Sequence, residues 1–264
     1  MTKPRALKKQ KMLNRRDKAL ALATADAVAK HIVNSTKQLE NYLAIQHYMT
    51  MGKKLPAFHG WPISPDFGLL LIDLIEQYQY DLVVEFGSGT STVLIAQALA
   101  NVQQRTGRPS QQVTFEHLDS YHTRTQSMLN AAGLSSAVQL VHAPFTDYIA
   151  PNGRTFHYYS CQDKLRQMAQ ALPNHSELMI LVVVDGPPAN TGPLARYPAL
   201  HHLWPQFEGA HFDFLMDDYI REDEREIVRG WRDEMLRHDL DVGVTHLKFE
   251  KEAALLTVKT PHPI

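Results

Sequence analysis

Between residues 81 and 237 short apolar runs alternate with helix-forming stretches, and this rhythm narrows the fold more than any other feature of the chain. The runs are "DLVVEF" (81–86), "QVTFEH" (112–117), "AVQLVHA" (137–143), "LMILVVVDG" (178–186) and "AHFDFLMDD" (210–218). Helical patterning fills the gaps, at about 91–104, 120–132, 161–171 and 194–204, and resumes at 222–237. A strand that follows a helical crossover pairs in parallel with its predecessor, so the pattern predicts a doubly wound α/β sheet with helices on both faces. Two final runs, "GVTHLKF" (243–249) and "AALLTVK" (253–259), lie too close together for a crossover and predict an antiparallel hairpin at the sheet edge.

Ahead of this region the composition shifts twice. Residues 1–16 carry Lys3, Arg5, Lys8, Lys9, Lys11, Arg15 and Arg16 without an acid, and read as a basic flexible tail, solvated or docked on a polyanion. Residues 17–59 form a helical extension and linker. From Asp17 to about Met51 there is neither Gly nor Pro, and Leu22, Ala25, Ala29, Ile32, Leu39 and Leu43 recur at roughly 3.5-residue spacing. That stripe predicts a long helix resting on the domain or on a second copy, hence an expected homodimer. Residues 60–264 are expected to form the main domain, where Ser64, Pro65 and Asp66 suit a helix start.

Charge and cysteine content exclude several function classes. A net charge of -1 gives no overall attraction to nucleic acid, and none is expected as a partner. The single cysteine, Cys161, rules out an internal disulfide framework and a cysteine zinc cluster; a reducing compartment, the cytoplasm, is the expected location. No apolar run approaches the roughly 20 residues of a membrane span. The histidines lack zinc-site spacing, and no nucleophile elbow is present.

The first strand-like run leads into "EFGSGTST" (85–92). At the carboxyl end of a parallel strand, a Gly-x-Gly turn brings backbone N–H groups close to a ligand. Nicotinamide sites favour a third glycine, but that position is Thr92, and an acid, Glu85, precedes the turn. Candidate ligand contacts are therefore Glu85, Gly87, Ser88 and Gly89. The second strand ends in Glu116 and His117, where a carboxylate can accept both hydroxyls of a ribose diol. "HAPF" (142–145) ends the third and places Ala143 where an adenine ring would lie.

The E-x-G-x-G turn, the strand-two acid and the terminal hairpin resemble the class I S-adenosylmethionine-dependent methyltransferases, over roughly residues 60–260. The resemblance implies a Rossmann-like seven-stranded sheet, S-adenosylmethionine as cofactor, the glycine turn facing its methionine half and Glu116 holding its ribose. "GWPISPDFGLLLIDLI" (60–75) is similar to the segment ahead of the glycine motif in the metal-dependent O-methyltransferase branch, the catechol-type and sugar enzymes.

Asp185 ends the fourth run, and Asp217 with Asp218 the fifth. Neighbouring strands would bring these acids to one rim, where a hard divalent cation relieves their repulsion. In the resembled branch such acids hold Mg²⁺, so Asp185, Asp217 and Asp218 are the expected metal ligands, with Asp185 also the catalytic and cofactor-side acid. The implied reaction is methyl transfer to a hydroxyl of a small molecule or saccharide. Pro187 and Pro188 stand where relatives place a catalytic residue, which leaves the base unassigned among neighbours such as Arg196, Tyr197, His201 and His202. Trp61, His59, Tyr158 and Tyr159 lie in expected loops and suit stacking on an acceptor ring. Residues 221–226 read as a solvated helix face. Alternatives are that the acids only shape turns and cap a helix in a metal-free enzyme, a nicotinamide-dependent oxidoreductase, and an interaction module built on the long helix.

Overall fold

The structure, a computed structural model, describes residues 3–49, 58, 63–172 and 174–260. A long helix, α1 (Lys3–Tyr48), leads into α2 (Pro65–Tyr78), and strands and helices then alternate: β1 (Leu82–Phe86), α3 (Thr90–Thr106), β2 (Gln111–Glu116), α4 (Asp119–Ala132) and β3 (Gln139–His142). A hairpin of β4 (Phe145–Ile149) and β5 (Thr155–Tyr159) precedes α5 (Gln162–Ala171), β6 (Met179–Val184), α6 (Pro198–Leu203), β7 (His211–Met216) and α7 (Glu222–Arg237). The chain closes with β8 (Asp241–Leu247) and β9 (Ala253–Lys259).

Seven strands form one sheet in the order β3-β2-β1-β6-β7-β9-β8. The first five pair in parallel; β9 runs antiparallel between β7 and β8. The order reverses between β1 and β6, and there a crevice opens beyond the strand ends. Strand side chains alternate between two cores. Leu82, Val84 and Phe86 face α5, α6 and α7, while Val83 packs with α2 and α3. Because both faces are covered, β6 can be an unbroken "MILVVV".

Two sequence expectations change. The helix α1 begins at Lys3, so the backbone of the basic segment expected as a flexible tail is helical from there on. Among the described residues its C-terminal part meets the domain, through Gln38 and through buried Ile45 and, just past the helix, Met49, whereas Leu22, Ile32, Leu39 and Leu43 are 53–61% exposed. The β4–β5 hairpin, the second change, lies in a stretch read as loop. Tyr158 and Tyr159 sit on β5 and are buried. Trp61 and His59 lie outside the described residues.

Asp66 ties three parts of the chain together. At the start of α2, with Pro65 at its first turn, Ser64 adopts the extended cap conformation, but its hydroxyl donates to Asp66 Oδ1 at 2.6 Å rather than capping an N–H. Asp66 Oδ2 accepts from Gln38 Nε2 of α1 at 2.7 Å and from the Glu250 N–H in the β8–β9 turn at 3.0 Å.

Candidate active site

At the end of β1 the backbone turns through Gly87 (φ 94°) and Gly89 (φ 155°), angles that L side chains rarely adopt. A Cβ on Gly87 would also lie 3.3 Å from Gly186 N, so the tip of β6 leaves little room for a side chain. The Gly89 N–H donates to Thr92 Oγ1 at 3.0 Å, and Thr92 Oγ1 in turn donates to Glu85 Oε2 at 2.8 Å. Thr114 donates to the same oxygen at 2.8 Å. Glu85 is fully buried on the α3 side and does not line the cavity. Burial raises its pKa to about 7, against the pull of the Ser91, Thr92 and Thr114 hydroxyls. The acid expected as a ligand contact instead braces the turn from behind.

Beyond the strand ends lies a cavity of about 600 Å³, the size of a cofactor site. Gly87 and Ser88 form part of its wall, with Glu116 and His117 beside them. Glu116 Oε2 accepts from Ser88 Oγ at 2.8 Å, and Oε1 from the Leu118 N–H at 2.9 Å. Burial works against its charge, yet His117, the Leu118 N–H and Ser88 together hold the carboxyl below its usual range, so it is an ionised acceptor at neutral pH. His117 stacks on Phe145 with ring centroids 4.0 Å apart and its Nδ1 lies 3.1 Å from Glu116. Ala143 is off the strand and fully buried, its N–H donating to Glu116 O at 2.7 Å; it supports Glu116 and does not line the cavity.

Across the cavity the tips of β6 and β7 bring Asp185, Asp217 and Asp218 together, with one oxygen of each within 4.8 Å of the others. Asp218, at φ 56°, accepts from Arg196 Nη2 at 2.9 Å and pairs with Arg221 at 3.0 Å. Arg196, 2% exposed, also donates to the main-chain oxygens of Asp185 (2.7 Å) and Asp217 (2.8 Å), so one guanidinium laces the two strand tips together. Both carboxylate oxygens of Asp217 are buried without a hydrogen-bond partner. Burial and the neighbouring Asp218 push Asp217 up to about 6, and burial and Asp217 push Asp185 well above the ordinary range. Asp185 and Asp218 line the cavity while Asp217 lies buried behind them, and three crowded carboxylates, one of them without a hydrogen-bond partner, suit a hard divalent cation.

Sequence reading named Arg196 only as a neighbour of the rim and missed it as the brace. Arg221 and Glu224, read as a solvated helix face, point inward: Arg221 lines the cavity and Glu224 is 2% exposed. Of the histidine pair, His201 bonds Glu234 at 3.0 Å and His202 stacks against Tyr158, and neither lines the cavity.

No protein-family model matches the sequence, and no curated protein matches it. Solved structures do. The O-methyltransferase TomG from Streptomyces achromogenes, involved in tomaymycin synthesis and solved with S-adenosylmethionine, superposes with a TM-score of 0.51 at 18% identity, covering 76% of this chain and 82% of that one. An O-methyltransferase from Bacillus cereus, in complex with S-adenosylhomocysteine, gives 0.51 at 14% identity, over 85% and 91% of the two chains. The fold is that of the S-adenosylmethionine-dependent O-methyltransferases. In that methyltransferase fold the cavity described above lies at the strand-order reversal, between β1 and β6, where open α/β sheets take their ligands.

Proposed function

We propose that the protein is an S-adenosylmethionine-dependent O-methyltransferase, Mg²⁺-assisted, acting on a hydroxyl of a small molecule or saccharide. The observation that carries this reading is the facing pair of sites in one cavity: the glycine turn with ionised Glu116 on one side, and the acids around orphaned Asp217 on the other. Glu116 retains lone pairs for a ribose diol, and Gly87 and Ser88, on the same cavity wall, would face the methionine half of the cofactor. Asp185, Asp217 and Asp218 would hold the ion. A divalent ion bound there polarises an acceptor hydroxyl and lowers its pKa. Arg196 keeps the strand tips at fixed separation, and Gly186, Pro187 and Pro188, which follow Asp185, add no titratable group. The acceptor enters past Ile220, Arg221 and Lys251, which line the same cavity.

The exposed stripe of α1 repeats with three- and four-residue steps through Leu22, Ala25, Ala29, Ile32, Thr36, Leu39 and Leu43, the spacing of a two-helix seam. This supports a homodimer joined through α1. Among the described residues no helix is long and apolar enough to cross a membrane, and the reading places the enzyme in the cytoplasm. Isothermal titration with S-adenosylmethionine, S-adenosylhomocysteine and NAD⁺ tests the core of the proposal. Binding of the first two is expected; binding of NAD⁺ alone would overturn it. Chelation followed by Mg²⁺ restoration tests the metal, and activity indifferent to chelator removes it.

A further inference from the structure

Tyr159, from the hairpin that the sequence did not announce, lines the cavity at its floor. Four aromatic neighbours fix its ring: Phe86 at 5.6 Å, Tyr158 at 5.1 Å, Phe145 at 5.2 Å and His117 at 5.8 Å, the last three edge-on. Such packing leaves the hydroxyl little freedom in where it points. The hydroxyl lies against Gly186, where an added Cβ would overlap it, and Gly186 in turn touches the glycine turn at Gly87. The residue is 2% exposed. Burial, then the charges of Glu116 and Asp185, hold its pKa well above the ordinary phenol value, which keeps it a neutral donor. Its neighbour Tyr158 points the other way, toward His202.

We propose that the Tyr159 hydroxyl is a cofactor-binding group that donates a hydrogen bond to the ribose of the S-adenosyl ligand, alongside Glu116. The inference rests on the functional reading above. Its chemical logic is complementarity: the Glu116 carboxylate only accepts, taking the protons of a ribose diol, whereas ribose oxygens also need a donor. Tyr159 is a neutral donor in the same cavity, its ring edge-on to His117, the residue that follows Glu116, and its hydroxyl beside Gly186. Its position also accounts for Gly186, since any side chain there would displace the hydroxyl.

Isothermal titration of the full-length protein with S-adenosylhomocysteine, S-adenosylmethionine and adenosine tests this, with thermal melts as a folding control. Tyr159→Phe is expected to weaken all three by a similar factor, about 5-fold or more. Gly186→Ala is expected to weaken them too, and by a smaller factor once combined with Tyr159→Phe, because the oxygen struck by the new methyl is then gone. Binding of S-adenosylhomocysteine by Tyr159→Phe within twofold of the wild type overturns the inference alone. A loss confined to S-adenosylmethionine also overturns it, since the hydroxyl would then face the sulfonium. A wild-type protein that binds none of the three overturns the functional reading as well.

Discussion

The Thr92 hydroxyl donates to the Glu85 carboxylate at 2.8 Å while accepting from the Gly89 N–H at 3.0 Å, so a buried acid and the glycine turn share one threonine. The turn is thereby fixed before any ligand arrives. Preorganised backbone donors of this kind cost no reordering on binding.

Thr92→Val keeps the shape of the side chain and removes the shared hydroxyl. Glu85 then loses one of its hydroxyl donors in a fully buried position. The expected cost is about 2 kcal/mol of stability, read from the urea midpoint. A midpoint equal to that of the wild type would show that the bond carries no weight.

The ionisation of Glu85 predicts a pH slope. Its folded pKa, about 7, is raised by burial above the ordinary 4.5, so the folded state keeps a proton that the unfolded chain releases. Stability therefore falls as pH rises from about 4.5 to 7, by up to about 3 kcal/mol from this group. Glu85→Gln should flatten that decline in denaturation midpoints measured between pH 4.5 and 8. Asp217, raised to about 6, contributes a smaller slope of the same sign that the variant retains. Superimposable profiles for the two proteins would contradict the assignment.

Mn²⁺ serves as a spectroscopic stand-in for Mg²⁺. Since both Asp217 oxygens lack partners, Asp217→Asn should lower Mn²⁺ affinity at least about 10-fold by electron paramagnetic resonance, with S-adenosylhomocysteine affinity little changed. Equal Mn²⁺ affinity in the two proteins would mean that the acids are purely structural.

For α1, Ile32→Glu and Leu39→Glu place charge in the exposed stripe without touching the contacts of Ile45 and Met49 with the domain. Light scattering should report a dimer for the wild type and a monomer for the double variant, with circular dichroism showing both folded. A wild-type monomer ends the dimer proposal.

The sheet was legible because its signals are local: apolar runs of strand length, Gly-bounded turns and a final pair of strands too close for a crossover. The rim acids were legible for the same reason, since a strand end fixes where Asp185 and Asp217 must emerge. The direction of Glu85 depended on strand register: one residue before Phe86, it faces α3 rather than the crevice. The β4–β5 hairpin escaped because "FTDYI" and "TFHYY" are five residues long and break the period-2 alternation at "TD" and "YY", so neither gives a clean strand signal. Arg196 escaped because its bonds run to main-chain oxygens at the tips of two other elements, which no sequence spacing records.

One carboxylate, Asp66, grips the outer helix at Gln38 and the β8–β9 turn at Glu250, and the next residue along that turn, Lys251, stands on the lip of the cavity. Neither anchor can shift without straining the other. The seat of the outer helix and one edge of the cavity thus hang on a single side chain, so a substitution at Asp66 would loosen both at once.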